Sequence, residues 1–233
     1  MRVAIIVTML LAGGVAAAPA RAAELGIYAG VSYSMVKKDA DRAPFERTAQ
    51  NIYDFIAFEP QTRSATFDTK DQSYGFVVGW RFSEHLAVEG GYLDLGDVTY
   101  KEHADGQFID TSVPPSPPVP ATLQQNIESG TSGIQISALG ILPLSYRWEL
   151  YARGGVLIAS STADVFVTDG QISDRANANK SGFDLLAGAG ISFSLVEIYN
   201  VRLEYQRVFD AGESDTLGEA DVNMATLNVT VSF

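Results

Sequence analysis

The chain has 233 residues, 46% hydrophobic and 19% charged, with no cysteine and a formal net charge of −12. That length suits a single domain. The missing cysteines exclude disulfides, thiolate metal sites and Cys nucleophiles, and the acidic balance argues against nucleic acid as a partner, which needs a basic surface.

The first element is a targeting segment. Arg2 is followed by an almost wholly apolar stretch over residues 3–15, then by small residues ending in Ala20-Arg21-Ala22. A short positive start, a short apolar run and an A-x-A pattern describe a secretory signal peptide, and the run is short for a membrane helix. Residues 1–22 are therefore expected to be removed, with cleavage after Ala20 as the alternative. Residues 23–233 are expected to form the mature domain, whose charge falls from −12 to −14 once Arg2 and Arg21 are gone. No later apolar run has the length of a transmembrane helix.

The mature chain then alternates with period two in eight places. Ile27, Ala29, Val31, Tyr33 and Met35 oppose Tyr28, Gly30, Ser32 and Ser34. Tyr74, Phe76, Val78, Trp80 and Phe82 oppose Ser73, Gly75, Val77, Gly79 and Arg81. Further along, apolar series begin at Leu86, Ile134, Trp148, Phe183, Val201 and Ala225, set against Glu89, Gln135, Glu149, Asp184, Arg202 and Thr226. A soluble sandwich or lipocalin-like barrel alternates too. Here, however, the polar face is small and sparsely charged, while the apolar face is aliphatic with aromatic ends. That combination suits a narrow lumen and a lipid belt with aromatic girdles. Connections of a few residues near 83–85, 143–145 and 197–200 alternate with long ones at about 37–72, 99–129, 168–180 and 210–221. Short periplasmic turns and long extracellular loops produce this rhythm. The expected fold is all-β: an antiparallel up-and-down membrane barrel of about eight strands in the outer membrane of a Gram-negative bacterium.

Three stretches carry a resemblance. Residues 74–82 with 86–96, the run Val201-Arg202-Leu203-Glu204-Tyr205-Gln206-Arg207, and the terminal Val229-Thr230-Val231-Ser232-Phe233 are similar to strands of OmpA-like outer-membrane barrels. The resemblance implies a barrel domain only, without the peptidoglycan-binding domain. It also implies outer-membrane lipid and lipopolysaccharide as surroundings. Phe233 would be the terminal signal read by the barrel-assembly machinery.

The inward charges expected in the lumen are Arg81, Glu89, Glu149, Arg153, Asp184, Arg202 and Glu204. Seven charges of both signs inside one narrow cylinder must pair, and an eight-stranded barrel has room for little besides its side chains. They form either a structural plug or the exchangeable pairs of a narrow channel. His103 with Asp105 or Ser112 is the nearest approach to a catalytic set, and nothing in the spacing holds it together. In the first loop, Ile52, Phe55, Ile56 and Glu59 have helical spacing. Residues 113–120 form a polyproline II tract, and Asp210, Glu213, Asp215, Glu219 and Asp221 make the last loop acidic without an EF-hand pattern. No cofactor or metal is expected. The reading that results is a non-enzymatic surface protein whose loops meet a ligand or host partner. A narrow channel for ions or small solutes is the alternative, and a lipid-A-modifying enzyme a distant one.

Overall fold

The computed structural model describes residues 25–109, 117–169, 173–196, 198–211 and 220–233. Nine strands and one helix follow in order: β1 (Gly26–Lys38), α1 (Ala43–Phe55), β2 (Phe58–Asp68), β3 (Lys70–Arg81), β4 (Leu86–Phe108), β5 (Val119–Pro143), β6 (Trp148–Thr168), β7 (Ser173–Val196), β8 (Tyr199–Ala211) and β9 (Ala220–Ser232). Eight of the strands close into an antiparallel barrel, each paired with its neighbour, with β9 returning to β1 and β1 pairing β3. Closure satisfies every backbone group that would otherwise face hydrocarbon.

The apolar series point outward. Trp80, Leu150, Leu185 and Leu203 are all exposed on the barrel's outer face. On β6 the outward belt runs from Trp148 to Ile158, about eleven residues, the length a tilted strand needs to cross hydrocarbon. Aromatic pairs mark its two ends: Trp80–Phe82 and Trp148–Phe193, with centroids 5.7 and 4.6 Å apart, lie beside the short turns. Tyr33–Tyr74 and Phe76–Tyr92 lie toward the other end at 5.5 and 6.2 Å.

The barrel departs from the expected loops on one side. β4 to β7 run 21 to 25 residues, whereas β1, β3, β8 and β9 have 12 or 13. The expected loops at 99–129 and 168–180 are therefore largely hairpin arms that continue the strands. The first loop contributes the ninth strand, β2, which pairs β4 from Phe58↔Phe108 to Asp68↔Thr99. Together β2, β4, β5, β6 and β7 build a curved wall above the membrane. The arms stay paired because their concave face buries apolar side chains against α1, which offsets the entropy of ordering them.

The helix includes Ile52 and Phe55 of the expected spacing Ile52, Phe55, Ile56 and Glu59, but it does not bury that stripe. Its buried face is Phe45, Ala49 and Tyr53, spaced by four, while Phe55 is 91% exposed and Glu59 belongs to β2. The start is set by the Asp41 carboxylate, which accepts the Ala43 N–H at 3.1 Å, and by Pro44 in the first turn. The helix stops at Ile56, after which Ala57 adopts φ 53.

Candidate functional site: the lumen and the wall above it

Period two brings six of the seven expected lumen charges into two groups. Near the short turns, Arg81 on β3 forks onto Glu149 on β6, with both contacts at 3.0 Å. The same guanidinium donates to the carbonyl of Glu84 at 2.6 Å, tying the pair to the β3–β4 turn. At mid-height Glu89 on β4 takes hydrogen bonds from Arg153 on β6, Arg202 on β8 and the Tyr28 hydroxyl on β1, the last at 2.6 Å. Arg153 Nε lies 2.8 Å from Glu204, which also accepts the Tyr151 hydroxyl at 3.0 Å. Arg202 sits over the Tyr28 ring at 4.8 Å and the Tyr151 ring at 5.6 Å. The side chains of Arg153, Glu89 and Glu204 are 3%, 0% and 1% exposed. Asp184 is also buried, on the inner face of β7, nearer the extracellular wall.

Two tyrosines therefore complete the cluster beyond the charged residues named from sequence. The signal was present: Tyr28 and Tyr151 occupy the polar parity of their strands, and a large phenol on that face needs both room and a partner. Glycine supplies the room. A Cβ at Gly79, across from Tyr28, would collide with its ring, and one at Gly190 would meet the Tyr151 ring at 2.7 Å.

Above the charges the inner face turns apolar. Val36, Leu93, Leu95, Leu157, Leu186, Val208, Val222 and Met224 form one buried cluster across the extracellular end of the lumen. A third layer is α1 itself. Phe45 packs edge-on to Phe67 at 5.2 Å and near Tyr100 at 6.3 Å, while Tyr53 packs on Phe58 at 5.4 Å. Beside it Arg63 on β2 binds buried Glu102 on β4 and covers the Tyr53 ring at 5.1 Å. Burial raises the Tyr53 phenol above its ordinary range, and the hydrogen bond to Glu102 raises the Arg63 guanidinium. This Arg63–Glu102 pair was invisible in the sequence, since its two halves lie in segments read as separate loops.

The remaining candidates are scattered. His103 Nε2 and Asp105 Oδ1 are 3.7 Å apart and both exposed on the outer polar face of β4, where Asp105 accepts the Thr122 hydroxyl at 2.7 Å. Ser112, residues 113–116 of the proline tract, and Glu213, Asp215 and Glu219 lie outside the described residues, while Val119 and Pro120 of that tract open β5. Of that acidic loop, Asp221 binds Arg207 and accepts the Asp210 N–H at 3.2 Å. Among the described residues no three His, Asp or Glu side chains are grouped to hold a metal ion. Phe233 donates its N–H to the Ile27 carbonyl at 2.9 Å, and its side chain is exposed.

Comparison with known proteins agrees with this architecture. Outer membrane protein A of Serratia marcescens is 26% identical over 166 residues, 70% of this chain and 40% of that protein. Its namesake from Yersinia pseudotuberculosis is 27% identical over 167 residues, with the same coverage. The match thus spans less than half the length of these curated relatives. Among solved structures, Neisserial surface protein A aligns with 89% of this chain and 97% of its own at 11% identity and a TM-score of 0.45. The attachment invasion locus protein of Yersinia pestis, in complex with the heparin analogue sucrose octasulfate, aligns over the same shares at 13% and 0.43. A family model described as the OmpA-like transmembrane domain matches residues 23–233, so the chain, an outer-membrane β-barrel, belongs to that family.

Proposed function

We propose that the barrel is a closed anchor, that the extracellular wall is its interacting surface, and that the protein is not an enzyme. The observation carrying this reading is the stack of three closures along one axis: the Glu89–Arg153–Arg202–Glu204 cluster, the apolar layer around Leu95 and Leu157, and α1 seated in the wall. A conduit would need all three to open together. Glu89 held by two guanidiniums and a phenol is a poor candidate for exchange, because each partner would lose a charge-assisted bond in a buried site. On this reading residues 1–22 are the cleaved signal and Phe233 serves insertion by the assembly machinery. Outer-membrane lipid and lipopolysaccharide contact the belt, and a surface ligand or host partner meets the wall.

Purified barrel in planar bilayers tests the closure. The wild type should show no steady conductance above the bare membrane. Reproducible unitary currents from the wild type that keep their amplitude after Arg153→Ala would instead favour a channel running past the cluster. Unchanged lipid A mass after expression is the expected result for a protein without lipid-modifying activity.

A further inference from the structure

The wall is not filled by α1. Between the outer edge of the helix and the β6–β7 side of the trough lies a cavity of about 450 Å³. Ile52, Phe55 and Ile56 line it from the helix side, Leu123 from β5, and Val165 and Val167 from β6. Such a volume falls in the range of small-molecule sites. Val165 lies seven residues beyond Ile158, the last outward apolar residue of the β6 belt, or about 20 Å along the strand. The neighbouring outward positions on β5 and β6 are Thr122, Gln124, Asn126, Thr162, Asp164 and Phe166, all polar except Phe166. The cavity therefore opens to water and not to hydrocarbon, and the 91%-exposed Phe55 ring stands at its edge. Two carboxylates, Asp169 and Asp174, belong to the same lining and are exposed.

The geometry points to a ligand site for a small amphiphile with an aromatic or branched aliphatic body and one cationic head. The body replaces water against Ile52, Phe55, Ile56, Leu123, Val165 and Val167, and the head meets Asp169 and Asp174. A chain of net charge −12 attracts such a cation and repels an anion of the same shape. This inference rests on the wall as the interacting surface and names the chemistry of its ligand. It does not depend on the closed lumen, which the conductance measurement tests separately.

Isothermal titration of the barrel in lipid nanodiscs, with empty discs as the blank, tests it. The probes are 1-naphthylmethylamine and 1-naphthoate. The amine should bind saturably at one per barrel, and the carboxylate should not. Phe55→Ser, at an exposed position that leaves the fold intact, should weaken amine binding about tenfold, as expected for losing one buried ring. Ala176→Trp, which fills the cavity from β7, should abolish it. The double change Asp169→Asn with Asp174→Asn should weaken it severalfold. Absence of saturable amine binding to the wild type overturns the site, as does wild-type binding by either cavity variant. Equal binding of amine and carboxylate, or unchanged amine binding by the double Asn variant, overturns the cationic class.

Discussion

Two halves of one strand face opposite solvent orders. In the membrane half of β4, Leu86, Val88 and Tyr92 point outward and Glu89 points in. In its outer half, Asp97, Thr99, Lys101, His103 and Asp105 point outward, while Val98, Tyr100 and Ala104 are buried inside. The backbone is the same extended ladder, paired to β5 throughout apart from one irregularity between Asp94 and Asp97. β5 makes the same inversion, with Ile134 and Ile136 outward below and Gln124, Asn126 and Glu128 outward above. The difference teaches that the pleat specifies only two faces. The medium decides which face is apolar. Lipid outside permits a polar lumen whose charges pair with one another. Water outside requires an apolar interior, and α1 provides the other side of that core.

The largest effect expected from breaking this contrast is in the lumen. Arg153→Ala leaves Glu89 and Glu204 sharing Arg202, and removing one member of a buried ion cluster costs about 3–5 kcal/mol. Arg42→Ala, on an exposed Arg42–Glu46 pair of α1, should cost less than about 1 kcal/mol. Urea unfolding in lipid vesicles measures both. Equal midpoints for the two variants would mean that the membrane half does not depend on its charges.

A change of outward charge comes next. Leu185→Arg places a cation on the lipid face of β7 and should destabilise the barrel by about 2–4 kcal/mol, depending on depth. Thr162→Arg, on the outward parity of β6 but above the belt, should stay within about 0.5 kcal/mol. If the two behaved alike, the boundary drawn between the halves would be misplaced. Neighbouring positions on β7 give a sharper version: a lipid-borne quencher should reach a probe at Leu185 and miss one at Asp184.

The smallest expected effect belongs to the wall. Ala57 is held at φ 53, a left-handed conformation that disfavours a side chain. Ala57→Gly should therefore stabilise the α1–β2 connection by about 1 kcal/mol, with slower amide exchange in α1 and no change in β8 or β9. Faster exchange in α1 would show that the turn is not strained.

The eight belt segments were legible because lipid enforces a long, uninterrupted alternation, and the charges on their inner parity could be named from the same pattern. The wall was not legible for two reasons. On β4 the irregularity at Asp94–Asp97, with Gly96 at φ 67, shifts the parity, so buried residues pass from 87, 89, 93 and 95 to 98, 100, 102 and 104. A period-two reading carried through that point places Tyr100 on the wrong face. On β2, Arg63, Ala65 and Phe67 become inward residues only through pairing with β4, and a short segment with Pro60 reads as loop. The helix spacing seen in Ile52, Phe55 and Ile56 was genuine, but those residues line an open cavity. The buried stripe is the one whose partners, Phe67 and Tyr100, lie 22 and more positions away in sequence.

The sequence by itself determined the strand belt, its lipid and lumen faces, and the presence of opposite charges that had to meet inside a narrow cylinder. Alternation, side-chain size and charge are local properties, written residue by residue. Tertiary structure alone decided which carboxylate each arginine takes, that Tyr28 and Tyr151 complete the cluster in spaces left by Gly79 and Gly190, and that four strands outgrow the membrane to hold α1. Those outcomes depend on register between strands far apart in the chain. Register is set by closure of the whole barrel, because a slip of one residue at any seam would turn every side chain of that strand to the other face.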